Sequence, residues 1–162
     1  MESVQFKIED ALAALLIPIS GLNVCTTNKI GLRRFPYATI KASIGGQQII
    51  PYSGVFQVNV EISYSDSATR TTQAVFDDNY YSIFSNLYSE NNTLVTKVQD
   101  KVTDLKIFMG RITSQNPSIK ATSRAWQRGL SLAFIVTPDP TADGLRDYDF
   151  SDALNSFYLG TI

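Results

Sequence analysis

The stretch Phe56-Gln57-Val58-Asn59-Val60-Glu61-Ile62-Ser63-Tyr64 decides the fold class of this 162-residue chain. Apolar Phe56, Val58, Val60, Ile62 and Tyr64 alternate strictly with polar Gln57, Asn59, Glu61 and Ser63. A period of two is that of a β-strand, whose side chains point to opposite faces in turn. One face of this strand is therefore expected to meet a core and the other to meet water. Upstream, Pro36 to Ile44 repeats the pattern, with Ala38, Ile40, Ala42 and Ile44 on one face and Tyr37, Thr39, Lys41 and Ser43 on the other. Gly45-Gly46, Pro51 and Gly54 punctuate the connection, so the two strands are expected to pair antiparallel.

Helical patterns flank this pair. Ile8, Leu12, Leu15, Leu16 and Ile19 fall at i, i+4, i+7, i+8 and i+11, predicting a helix over about residues 4–17, with Ser3 as its cap and Pro18 as its stop. Phe76, Tyr80, Ile83, Phe84 and Leu87 repeat that template and predict a second helix over about 71–88. Ser65 to Arg70 between them reads as a polar loop, while 94–102 fits a short helix with Leu94, Val95 and Val98 inward or a loop. Leu105, Ile107 and Met109 alternate as a third strand, and Gly110 to Thr122, containing Asn116-Pro117, reads as a turn or long hairpin tip. Trp126, Arg128, Leu130, Leu132, Phe134 and Val136 share one face of a fourth strand that ends at Pro138. The order is αββαββ. It implies an α+β fold, a two-layer α/β sandwich with a mostly antiparallel four-stranded sheet and both helices on one face. Residues 1–138 are expected to form this compact domain, and 139–162 a C-terminal arm.

Composition narrows the chemistry. With 44% hydrophobic and 18% charged residues the chain can bury a core. It contains no histidine, which removes imidazole as base, acid or metal ligand. The single cysteine, Cys25, allows neither an intrachain disulfide nor a cysteine zinc cluster. Phosphate-binding glycine loops and nucleophile elbows are missing as well. Asp77 and Asp78 are neighbours on a helix and diverge by about 100°, so they read as helix surface rather than as a catalytic pair. The acidic run from Asp139 to Phe150 resembles a calcium loop but puts Phe150 where the bidentate acid belongs, and it reads as a solvated turn. We expect no enzyme activity, no cofactor and no metal. The longest apolar run, Ala11 to Ile19, is interrupted by Pro18 and is too short for a membrane span, and no secretory signal is expected.

Charge is unevenly spread. Residues 1–138 hold 13 Lys or Arg against 10 Asp or Glu, net +3, whereas 139–162 hold Arg146 against five Asp, net −4. The stretch from Lys97 to Arg128 is the basic counterpart, with seven basic residues against Asp100 and Asp104. An overall pI near 5.3, with the aromatics at core spacings, argues against direct sequence-specific nucleic-acid binding. The arm carries Tyr148, Phe150, Leu154, Phe157, Tyr158 and Leu159, a density of large apolar groups that disordered tails lack. Either it folds back on its own domain or it docks on a neighbouring copy or partner, where its Asp residues would meet a basic face including Arg111, Lys120 and Arg124. These nine residues form the candidate subunit or partner interface.

Several segments taken together resemble the tail terminator, or tail completion, proteins of tailed bacteriophages. They are the N-terminal helix, the strand opening Arg34-Phe35-Pro36-Tyr37-Ala38-Thr39-Ile40, the alternating strand Val55 to Tyr64, the aromatic helix and the late strand Ser123 to Val136. The likeness covers about residues 4–138 and lies in the order and patterning of elements; the arm is outside it. It implies a non-enzymatic virion structural protein, assembled in the host cytoplasm and residing in the tail or neck. Such a protein forms a ring, usually hexameric, that caps the tail tube and joins it to the head connector. Its partners would be copies of itself, the tail tube protein and a connector or neck protein. Another neck or head-closure component is the alternative within that class, and a small-ligand or nucleic-acid binding module is the alternative outside it.

Overall fold

The computed structural model describes residues 4–27, 34–48, 55–88 and 93–138. The elements in chain order are α1 (Val4–Leu16), β1 (Asn23–Thr26), β2 (Tyr37–Gln48), β3 (Phe56–Ser67), α2 (Gln73–Tyr88), α3 (Thr93–Gln99), β4 (Leu105–Gln115), β5 (Ile119–Thr122) and β6 (Ala125–Pro138). The α+β class holds, and β2 and β3 pair antiparallel as their alternation requires. Among the described residues, however, the sheet has six strands rather than four, in the order β1-β2-β3-β6-β4 with β5 also on β6, and three helices accompany it rather than two. The order αββαββ is thereby corrected.

Each departure has a local cause. Strand β1 is four residues long and joins β2 in parallel, Val24 beside Ala38, a pairing with no periodic signature in Asn23-Val24-Cys25-Thr26. The polar run Ser65-Asp66-Ser67 stays in β3, and not in a loop, because β6 continues opposite it with Gln127, Trp126 and Ala125. Gly110 to Thr122 is largely strand: β4 follows β6 to Gln115, and after Asn116-Pro117-Ser118 the chain resumes as β5 against Trp126 and Gln127. The hairpin turn itself is reduced to Thr122-Ser123-Arg124-Ala125. The 94–102 stretch is helical as α3 up to Gln99 and turns at Asp100-Lys101.

The core forms where α1, α2 and α3 meet one face of the sheet. Ala38, Ile40, Val60, Ile62, Leu132 and Phe134 point into it from β2, β3 and β6, each at most 2% exposed. From above come Ile8 and Leu12 of α1, Phe76, Tyr80 and Phe84 of α2, and Val98 of α3. Tyr64 stacks on Phe76 with ring centroids 5.1 Å apart and meets the edge of Phe84 at 5.9 Å. Burial, and secondarily the charge of Asp66, pushes the Tyr64 pKa up to about 12. Thr72 caps α2, its carbonyl accepting from the Phe76 N–H at 2.9 Å and its hydroxyl from the Val75 N–H at 3.4 Å.

Two polar side chains complete the sheet where strands run out. The β1–β2 pairing ends at Thr26 opposite Ile40, and from Lys41 onward β2 loses that neighbour. The Glu9 carboxylate of α1, 1% exposed, replaces it: Oε1 accepts from the Ala42 N–H at 2.8 Å and from the Thr27 hydroxyl at 2.6 Å. Among the described residues its Oε2 has no hydrogen-bond partner. At the other edge Gln99 imitates a strand, donating from Nε2 to the Leu105 carbonyl at 2.8 Å and accepting at Oε1 from the Ile107 N–H at 2.9 Å. Such caps matter because an unpaired strand edge is a template for unwanted pairing.

Candidate functional site

Among the described residues no element covers the second face of the sheet. Thr39, Lys41, Ser43, Asn59, Glu61 and Ser131 line this side, partly or fully exposed. Their neighbours tie one another: Gln57 Nε2 donates to Asn59 Oδ1 at 3.1 Å, and Gln127 Nε2 donates to Ser63 Oγ at 2.7 Å. On this face the Asn116-Pro117 connection and Ile119 overhang β3 and β6 and bound a groove of about 450 Å³. Its floor includes Gly129, where a Cβ would come within 3.1 Å of Asn116 Nδ2. Among the described lining residues Glu61 is the ionisable group; Ser63, Gln127 and Ser131 supply hydroxyl and amide groups. These are groups that bind through hydrogen bonds.

The overhang is positioned by Arg128. This residue lies on the helix-facing side of β6, as its alternation with Leu130 and Leu132 predicts. Its guanidinium sits 4.2 Å from the Tyr80 ring and 4.9 Å from the Tyr81 ring, 3.3 Å from Asp77 Oδ1, and Nε donates to the Asn116 carbonyl at 2.9 Å. Burial alone would lower the Arg128 pKa, but its hydrogen bond to Tyr81 and the charges of Tyr81, Tyr80 and Asp77 outweigh it, so the pKa rises. Tyr80 OH donates to Gln115 Oε1 at 3.1 Å, Gln73 Nε2 donates to Ser118 Oγ at 3.1 Å, and the Asn116 N–H donates to the Gly129 carbonyl at 2.9 Å. Thus α2 holds the connection from one side while the groove opens on the other.

The sequence-predicted interface residues do not form one patch. Arg111 is exposed on β4 opposite Ala133, on the uncovered face. Lys120 of β5 pairs with Trp126 and places Nζ 5.9 Å from that ring, on the helix side. Those register partners are seven residues apart along β6, about 23 Å at ~3.3 Å per residue. Arg124 occupies the hairpin turn, where its carbonyl accepts from the Ala68 N–H at 2.7 Å. Tyr148, Phe150, Leu154, Phe157, Tyr158 and Leu159 lie outside the described residues. So does the acidic Asp139 to Phe150 run.

Sequence reasoning missed three features of this region. The groove depends on the Asn116-Pro117 overhang, for which the Pro and the flanking polar residues gave only a turn signal. Met109 is 53% exposed because a bulge after Ile107 breaks the Leu105, Ile107, Met109 alternation, and Phe108 at the bulge is 47% exposed. The pairing of Asp77 with Arg128, 51 residues away, has no sequence signature. Among the described residues no group of three or more metal-capable side chains converges, and no helix is long and apolar enough to cross a membrane. No protein-family model and no curated protein matches the chain.

Proposed function

We propose that this chain is a non-enzymatic virion structural subunit, a tail terminator that closes into a ring, caps a phage tail tube and joins it to the head connector. The observation that carries this reading is the one-sided sheet: its core is complete beneath three helices, and its other face is left polar and uncovered among the described residues. Exposed Phe108 and Met109 at the β4 bulge add apolar contact area beside Arg111. A ring subunit must present two different faces to its neighbours, and a sheet covered on one side only supplies them. The resemblance in element order supports the same reading. Its partners are copies of itself, the tail tube protein and a connector protein, and no cofactor enters its work.

Native mass measurement with electron microscopy tests this. A closed ring, of six copies in the usual form, that binds tail tube ends is the expected result; a monomer at micromolar concentration overturns it. A ring that binds a portal and not a tube would make the chain a head-closure component. The open-face groove favours one reading of another class, a small-ligand module whose ligand is hydrogen-bonded by Glu61, Ser63, Gln127 and Ser131. A monomer stabilised thermally by polar small molecules, with the effect lost in Gln127→Ala, would select it.

A further inference from the structure

The helix layer contains a notch that the core does not fill. Leu15 and Leu16 at the end of α1, Ile19 in the turn after it, Ile83 and Leu87 of α2, and Lys97 of α3 line about 250 Å³. Among the described lining residues five are aliphatic and Lys97 is charged. Small-molecule sites usually occupy about 300–1,000 Å³. This one has the scale of one or two large side chains. We propose that the chain's own arm docks here, through the stretch from Asp149 to Leu159.

Three observations point to that occupant. The first is composition. Phe150, Leu154, Phe157 and Tyr158 recur at i, i+4, i+7 and i+8, the spacing that gathers apolar groups on one side of a helix, and helix-in-groove recognition uses such anchors. The second is charge: Asp149 and Asp152 accompany these anchors, opposite in sign to Lys97 of the lining. The third is place. Strand β6 ends at Pro138, whose register partner is Leu105; the Leu105 carbonyl accepts from Gln99, two residues beyond Lys97 on α3. The chain thus leaves the sheet beside the helix that lines the notch. Residues 139–148 can span up to about 35 Å at ~3.5 Å per residue, which exceeds the ~20 Å length of a thirteen-residue helix such as α1. A tether this short holds the arm at millimolar effective concentration, which favours the chain's own notch over a neighbour's. The inference does not require the ring: it concerns contacts within one chain.

Hydrogen exchange on the full chain reads it directly. Backbone amides of 150–159 are expected to exchange at least about ten-fold more slowly than an unstructured peptide. That protection should vanish in Ile83→Asp, which charges the notch, and in Leu154→Ser, which leaves the domain untouched, while β3 and β6 stay slow in both. Exchange of 150–159 at the free-peptide rate in the unaltered chain overturns the proposal, as does protection that survives both substitutions. A second measurement fixes the source of the arm. With Lys97→Cys and Asp152→Cys joined by a short bis-maleimide, the denatured product is expected to have the mass of one chain, Cys25 being buried. A two-chain product would assign the notch to a neighbour's arm, and no cross-link would place the arm elsewhere; either result overturns docking within the chain.

Discussion

Along β6, successive residues meet opposite conditions. Leu130, Leu132, Phe134 and Val136 are at most 2% exposed beneath the helices, whereas Gln127, Gly129 and Ser131 look out on the face that no described element covers. The two faces share one backbone and one set of hydrogen bonds, so the difference between them lies in side chains alone. Around these four residues the helix side is packed to contact and resists change of volume. The other side carries mostly polar or charged groups: Gln57 bonds Asn59 and Gln127 bonds Ser63, with Lys41, Glu61 and Arg111 beside them. Stability is therefore concentrated on one face, and the second face is free to serve recognition.

The sharpest way to break this contrast is to remove volume from the covered side. Phe134→Ala is expected to cost about 3–5 kcal/mol, read as a lower denaturant midpoint at unchanged slope. A loss below ~1 kcal/mol would mean that the covered face is not the core. Next in size is an effect of pH. Tyr64 keeps its proton in the folded state up to about pH 12, while an unfolded tyrosine loses it near 10. Its contribution is fully present below pH 10 and is lost as pH rises toward 12, by about 2–3 kcal/mol at most. Comparing Tyr64→Phe with the unaltered chain in urea between pH 9 and 12 checks this, because the variant should show a shallower alkaline decline.

Gly110 gives a smaller effect from the same side. A Cβ at this position would lie 2.7 Å from the Phe134 ring and 3.3 Å from Val95, so Gly110→Ala is expected to destabilise by about 1–3 kcal/mol in the same assay. The smallest change belongs to the uncovered face. Ser131→Ala should alter stability by less than ~0.5 kcal/mol and leave the circular dichroism spectrum unchanged. A large loss there would reveal that this face is covered in the monomer and would remove the ground for giving it a role in recognition.

How much of this was legible in the sequence varied with the kind of signal. Strands β2, β3 and β6 and helices α1 and α2 were readable because a one-sided environment imposes a period on ten or more residues. Strand β1, with four residues, and β5, with four exposed ones, are too short for any period to emerge. In β4 the alternation misled: a bulge between Ile107 and Met109 shifts Met109 into register with Ile135, on the uncovered face. The groove was not readable either, since it needs Asn116-Pro117 to overhang residues some 50 positions earlier in the chain. Of the nine candidate interface residues, the three basic ones are placed, and they are dispersed over both faces and a turn.

By itself the sequence determined that β3 has one buried and one wet face, that two amphipathic helices must cover a sheet, and that this chain holds neither an imidazole nor a second cysteine for an intrachain disulfide. Those conclusions rest on local periodicity and on inventory, both properties of the chain before it folds. Tertiary structure alone decided that the sheet has six strands, that Glu9 and Gln99 take the place of missing neighbours at its edges, and that Arg128 fastens α2 to the overhang of the groove. Each of these joins groups far apart in sequence, and long-range contacts leave no period to read because their partners are chosen by the packing of the whole domain.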